Sequence, residues 1–325
     1  MSCLALLLSC AAATAPEPPE AYVRPHHGVP TLIINGKPHP GTSYMTYRPE
    51  AKYFRDMGQI GVHLYSFSAT PTESTYNLAA PTWIDHQVFD HSSFDARVKL
   101  LLDADPEAFF FPRLFLGTPP WWAKTHPDEL VRYDPGDGSS VELRIREKLV
   151  ASWASELWRA SSADALRRFI RHVESSDYAD HVIGYHLASG TTEEWMQRGS
   201  NEDHWCDYSP VNVAMFRQWL TKKYQTDEGL RHAWNNESTS LTTAGVPSRE
   251  ERGSAERDYL RDPVVAQASI DYSQYTSWLV TDTIGYFASV VKEAVGRKRL
   301  VGVFYGYVLQ LAGATREQIS GHHAF

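Results

Sequence analysis

The sequence predicts an α/β fold: a parallel-stranded (β/α)8 barrel of the TIM type, incomplete, with about five of its eight βα units present. Three observations predict it. Apolar strand-like runs alternate with helical patterns of about ten residues or more, the signature of parallel βαβ units. No such run is followed by a Gly-rich phosphate loop, which disfavours the doubly wound alternative. The five strands lie between positions 41 and 306, leaving 19 residues. Three further units need roughly 90. The chain is therefore expected to be the N-terminal part of a barrel, occupying residues 30–325.

Taken in order, residues 1–15 hold the apolar run Leu4 to Leu8 and a small-residue stretch ending at Ala15. That is the shape of an export signal and places the mature protein in the periplasm or outside the cell. Leu7-Leu8-Ser9-Cys10 also resembles a lipobox, which would make Cys10 a lipid anchor. Pro16, Pro18, Pro19 and Pro25 make residues 16–29 read as an extended tether. Residues 31–34 form a strand, Asn35-Gly36 a hairpin turn, and Lys37-Pro38 the return. Residues 41–47 are the first barrel strand. Pro49 then opens a helix at its first position, with Tyr53, Phe54, Met57 and Ile60 spaced along it. Residues 62–66 are the second strand.

Ser92 or Ser93 caps a helix whose inner face is Phe94, Val98, Leu101 and Leu102. Residues 109–115 are the third strand, buried but interrupted by Pro112 and Arg113. Ser161 and Asp164 begin the next helix, with Leu166, Phe169, Ile170 and Val173 on one face. Residues 181–186 are the fourth strand. Ser209-Pro210 starts another helix, residues 235–262 are surface loops, a long helix follows, and residues 300–306 are the fifth strand.

Composition bounds the function. Net charge is -8, which argues against a general nucleic-acid binder. No run reaches the roughly 20 apolar residues of a membrane span. The three cysteines, Cys3, Cys10 and Cys206, have no zinc-site spacing and make no disulfide framework. None of the 14 His shows the helical spacing with a Glu that a metallohydrolase uses, so neither metal nor cofactor is expected. Aromatic residues make up 12% of the chain, enough for a core with aromatic packing or for a cleft lined by flat faces.

Barrel chemistry sits at the C-terminal ends of the strands. Tyr44, Tyr47 and Arg48 occupy that rim after the first strand. After the third come Pro119-Pro120-Trp121-Trp122, a stiff flat shelf that makes a binding wall unless one Trp is core. The fourth strand ends at His186 and leads to Glu193-Glu194-Trp195. A Trp ring beside a carboxyl desolvates it and raises its pKa, as a general acid requires; the alternative is a solvated acidic loop. After the fifth strand, Tyr305 and Tyr307 either bond a substrate or fill the barrel mouth.

Several stretches, in order and spanning about residues 30 to 325, resemble the family 42 glycoside hydrolases, the β-galactosidase-like barrels. They are Thr118-Pro119-Pro120-Trp121-Trp122 with His126-Pro127-Asp128-Glu129-Leu130, Val182-Ile183-Gly184-Tyr185-His186, Phe216-Arg217-Gln218-Trp219-Leu220 with Lys223-Tyr224, and Ala233-Trp234-Asn235. Phe304-Tyr305-Gly306-Tyr307 completes the set. The resemblance implies a retaining mechanism with two Glu, the acid/base after strand four and the nucleophile after strand seven. The acid/base maps to Glu194, directly before Trp195, with Glu193 as runner-up. The nucleophile has no counterpart up to residue 325, so these residues alone are expected to be inactive. In the family an Asn precedes the acid/base, where this chain has Glu193 or Thr192, and the family's zinc-binding Cys cluster is absent. Tyr44, Arg48, Trp121, Trp122, His186, Trp195, Tyr305 and Tyr307 are the expected substrate-binding residues. The expected activity is a glycosidase on β-galactosides or related β-linked sugars. A non-catalytic carbohydrate-binding barrel is the alternative.

Overall fold

The computed structural model describes residues 19–199, 204–253 and 261–306. The residues read as an export signal, Cys10 and Tyr307 lie outside the described residues. The chain opens with a three-stranded antiparallel sheet, β1 (Ala21–His26), β2 (Val29–Ile34) and β3 (Lys37–His39). Both of its turns use consecutive residues with positive φ, His27-Gly28 and Asn35-Gly36, the backbone that a two-residue hairpin requires. The segment read as a tether is therefore a strand from Ala21 onward. Its Pro25 stands opposite Pro30 beside the first turn, where neither ring interrupts the rest of the ladder.

The barrel part follows in chain order. It begins with β4 (Tyr44–Thr46), α1 (Ala51–Gln59) and β5 (Leu64–Ala69). A small ribbon of β6 (Trp83–Asp85) and β7 (Val88–Phe89) precedes α2 (Ser92–Ala104). Then come β8 (Phe109–Phe110), β9 (Arg113–Phe115) and α3 (Pro120–Thr125). Two further ribbons pair β10 (Arg132–Tyr133) with β11 (Val141–Glu142) and β12 (Arg144–Ile145) with β13 (Lys148–Leu149). Next are α4 (Glu156–Glu174), β14 (Gly184–Ala188), α5 (Pro210–Tyr224), α6 (Asp227–Trp234), α7 (Arg249–Gly253), α8 (Pro263–Ala294) and β15 (Leu300–Val303).

The main sheet runs β4-β5-β9-β14-β15, every pairing parallel, with β8 also on β5. Sequential order with parallel pairing is what the strand–helix alternation predicts. Among the described residues the sheet is open, an incomplete α/β barrel.

Several boundaries differ from the sequence reading, each for a local reason. The third strand breaks into β8 and β9 because Pro112 has no N–H for the ladder; its carbonyl still accepts from His186 N at 3.0 Å. The fourth strand starts later, since Ala179–His181 form a 3-10 turn. Helix α1 is capped at Glu50, so Pro49 precedes it and does not open it. In α2, Ser92 is already helical, and the Asp90 carboxylate accepts its N–H at 2.9 Å. Helix α4 starts at Glu156, capped by Ser155 Oγ accepting from Trp158 N at 2.9 Å. Buried Trp158 extends the apolar face of α4 upstream of Ser161.

The core lies between sheet and helices. Phe67 and Phe110 from the strands meet Phe94 and Phe169 from α2 and α4, with ring centroids 4.9–5.9 Å apart. The small antiparallel sheet closes the N-terminal ends of the strands. Ala21 and Ile34 pack there with Leu64 and Ile183. Buried Arg299 fastens this end, donating to Pro19 O at 2.7 Å and to both carboxylate oxygens of Glu174. The opposite end of the barrel, where the C-terminal ends of the strands gather, is left for chemistry.

Candidate active site

Parallel register sets one layer of the barrel interior. Ser68 on β5, Arg113 on β9, His186 on β14 and Gly302 on β15 are successive partners across the sheet. Residues in register point to the same face. Arg113 is only 1% exposed. Its Nη1 donates to the Tyr47 hydroxyl and its Nη2 to the Glu193 carbonyl at 2.6 Å. The guanidinium lies 4.8 Å from the Phe304 ring centroid and 5.4 Å from that of Tyr47. A buried cation wrapped in aromatic faces and fixed by hydrogen bonds is held rigidly. Beside it, the His186 ring meets Phe304 edge-on at 4.3 Å. Burial, with the Arg113 charge adding to it, pulls His186 down to about 4, so its imidazole is neutral. Its Nε2 is buried and reaches no hydrogen-bond partner among the described residues.

The loop after β14 carries the two acidic residues. It is tightly folded: Trp195 N donates to Ser189 O at 2.7 Å and Thr191 N to Met196 O at 3.1 Å. A Cβ on Gly190, whose φ is +83°, would stand 2.5 Å from Met196 O, so only glycine fits. Beneath the loop, fully buried Trp195 donates its indole N–H to Leu187 O at 3.0 Å and packs against Trp153. The fold therefore uses Trp195 as the anchor of this loop.

The two carboxylates face different surroundings. Glu193 is 3% exposed, and its Oε1 accepts from Ser74 Oγ at 3.1 Å, Thr75 N at 3.2 Å and Thr75 Oγ1 at 3.4 Å. Burial pushes its carboxyl up to about 7, against the downward pull of those hydrogen bonds and of Arg198 and Arg113. The Glu194 side chain is 25% exposed, with Oε1 3.9 Å from Arg113 Nη2. Thr192 Oγ1, which donates to Thr191 O at 2.6 Å, lies 3.4 Å from the other Glu194 oxygen. So the desolvated carboxyl is Glu193, and the one open to solvent is Glu194.

The loop after β5 makes the facing wall. Gly117 N donates to Glu73 O at 2.8 Å, a close approach that a side chain at 117 would block. Lys148 Nζ bonds Glu73 Oε1 at 2.9 Å and Ser74 O at 2.7 Å. Burial raises the Tyr76 phenol; Arg146, lying 3.8 Å over its ring, opposes this, and the charges of Glu193 and Glu194 add to it.

The structure thus brings together Glu193, Glu194 and His186, with Tyr305 next to Phe304 and half-buried, its phenol pushed up to about 12 by burial. Others of the expected set are elsewhere. Trp195 is wholly buried, so it offers no ring face to a substrate. Trp122 is 2% exposed and stacks on His126, because the second Trp of α3 points inward. Trp121 is half-buried, edge-on to Trp83 at 4.9 Å on the β6-β7 ribbon. Tyr44 turns toward Phe54 of α1, since strand alternation gives the interior to Tyr47 instead. Arg48 is exposed, and among the described residues only its backbone groups bond, to the Thr46 hydroxyl. The sequence reading missed Arg113, Tyr76 and the Glu73-Ser74-Lys148 wall. An Arg inside the apolar run Phe109 to Phe115 was the available signal for the first.

Among the described residues no group of His, Cys, Asp and Glu could hold a metal, and no helix is long and apolar enough to cross a membrane. No curated protein matches the chain. Solved structures do. The β-galactosidase of the Antarctic haloarchaeon Halorubrum lacusprofundi is 18% identical, with a TM-score of 0.53 over 78% of this chain and 34% of that one. The β-galactosidase of the psychrophilic Marinomonas ef1 is 17% identical, with a TM-score of 0.55 over 80% of this chain and 36% of that one. The catalytic domain of a β-amylase from Paenibacillus polymyxa is 14% identical, with a TM-score of 0.58 over 80% of this chain and 65% of that one. At these identities the likeness shows the fold. The chain spans about a third of the length of those two β-galactosidases. The sequence model of the β-galactosidases of glycoside hydrolase family 42 matches residues 54–308, and the chain belongs to that family.

Proposed function

We propose that this chain carries the acid/base half of a retaining glycoside hydrolase acting on β-galactosides or related β-linked sugars, with Glu194 as the acid/base. The observation that carries the choice within the pair is access. A general acid must reach the glycosidic oxygen. Glu194 is partly open and borders Arg113, whereas Glu193 is closed in by Ser74 and Thr75. The raised pKa of Glu193 by itself favours the other choice, but a carboxyl that cannot touch substrate cannot protonate it. Glu194 would donate its proton to the leaving oxygen and then take one from the attacking water. Neutral His186, with an unused Nε2, suits a sugar hydroxyl better than an ionic group.

A retaining site needs a second carboxyl about 5–5.5 Å away. Glu73, the other carboxylate on this wall, is paired with Lys148. The nucleophile is assigned to a strand outside the described residues. The test is Glu194→Gln in the full-length gene product. Turnover of aryl β-galactosides with poor leaving groups should fall about 10²–10⁴-fold. Good leaving groups should be hydrolysed with less loss, and azide, which needs no general base, should restore turnover. Near-normal rates with poor leaving groups would overturn the assignment. A wild type that binds oligosaccharide and never cleaves it would make the chain a carbohydrate-binding barrel.

A further inference from the structure

We propose that Glu193 is a positioning residue, whose buried side chain ties the loop after β14 to the loop after β5 and so fixes the Glu194 carboxylate at the barrel opening. This rests on Glu194 being the acid/base. Glu193 is held from both ends. Its Oε1 takes the Ser74 hydroxyl, the Thr75 N–H and the Thr75 hydroxyl, and its own carbonyl takes Arg113 Nη2 at 2.6 Å. The side chain therefore belongs to the β5 loop and the main chain to β9.

The far anchor is itself fixed. The Glu73 carbonyl is bonded by Gly117 N, and Lys148 bonds both the Glu73 carboxylate and the Ser74 carbonyl. The tether thus ends on a wall joined to β9 and β13, not on a free loop.

The backbone gives an independent reason for a tether. Thr192, Glu193 and Trp195 all have left-handed φ, at +57°, +59° and +62°. L-residues with side chains this large rarely adopt that region. Such conformations persist where surrounding contacts over-determine them. Trp195 is pinned below by Leu187 O, and Glu193 is pinned sideways by Ser74 and Thr75. Glu194 sits between these two fixed points. Among the described residues its own side chain has only a 3.4 Å approach to the Thr192 hydroxyl and a 3.9 Å approach to Arg113, so its direction is set by its neighbours.

The tether depends on its length and its acceptor oxygen, not on its charge. Aspartate is one methylene shorter and withdraws from the Ser74 and Thr75 donors. Glutamine keeps an acceptor oxygen at the same reach.

The experiment compares Glu193→Ala, Glu193→Asp and Glu193→Gln in the full-length protein with aryl β-galactosides of good and poor leaving groups. Ala and Asp should lower kcat by roughly tenfold or more with KM little changed, the signature of a misplaced catalytic group. Gln should recover most of kcat with both kinds of leaving group. Backbone amide exchange in residues 190–197 should accelerate in Ala and stay slow in Gln. A Gln variant that is dead on poor leaving groups, and whose turnover of good leaving groups is rescued by azide, would make Glu193 itself the acid/base and overturn the proposal. So would an Ala variant with wild-type kcat, or with unchanged amide exchange. A wild type without glycosidase activity would sink the reading of Glu194, and the exchange measurement would still decide whether the tether exists.

Discussion

Replacing Glu193 with Gln removes a proton-binding group from the interior while keeping its size, and the consequence for stability depends on pH. The carboxyl titrates near 7 in the folded protein, against 4.5 for an ordinary glutamate, because it is buried. The folded state therefore holds the proton more tightly than the unfolded chain. Stability is fully present below about pH 4.5, is lost as pH rises toward 7, and stays lower above that. At about 1.4 kcal/mol per pH unit, the wild type gives up about 3 kcal/mol by pH 8. Gln has no such slope, since it carries no charge at any of these pH values. The variant should match the wild type at pH 4.5 and exceed it at pH 8. For a chain of this size, with about 2.1 cal/mol/K of unfolding entropy per residue, about 3 kcal/mol corresponds to roughly 4–5 °C in Tm. Thermal melts of both proteins at pH 4.5, 6, 7 and 8 measure the difference directly. Asp207 and the other titrating groups occur in both proteins and cancel. A Tm difference that is constant with pH, or a variant less stable at pH 8, would refute the reasoning: the Ser74 and Thr75 bonds would then outweigh the cost of burying the charge.

Three further outcomes are expected. Arg113→Lys keeps the charge but not the forked donors that reach Tyr47 and Glu193 together. It should lower kcat of the full-length protein by more than about tenfold; near-wild-type kcat would mean the fork does not matter. His186 titrates near 4, so its ring 15N shifts should stay those of a neutral imidazole from pH 5 to 8, and a transition near 6.5 would contradict the burial argument. Trp122→Ala should cost about 3–5 kcal/mol of stability, as a fully buried aromatic does. Trp121→Ala should cost clearly less, and equal losses would show both rings to be core.

Local patterns were enough to read much of this protein. The run of residues 300–303 and the apolar stretch beginning at 109 are strands because continuous apolar residues between helices have nowhere to go but a sheet covered on both faces. Asn35-Gly36 gives its turn because those two residues accept positive φ. The helix face Phe94, Val98 and Leu101 follows from helical spacing alone. Even the acidic pair after the fourth strand could be picked out, since barrel topology sends that loop to the catalytic end.

What adjacency in sequence misjudged was the effect of one residue on the next. Trp195 follows Glu194, yet its ring goes under the loop to Leu187 O, and the burial it suggested belongs to Glu193 instead. The contacts that bury Glu193 come from Ser74 and Thr75, more than a hundred residues earlier. In the same way Tyr44 and Tyr47 look equivalent in the sequence, and strand alternation turns one toward α1 and gives the other to Arg113. The sequence by itself determined the order of strands and helices and the placement of a pair of carboxylates, the candidate site, in the loop after the fourth strand. Only the tertiary structure decided which carboxylate is closed and which is open, because burial and electrostatics are set by the distant segments that surround a group, and local spacing carries no record of them.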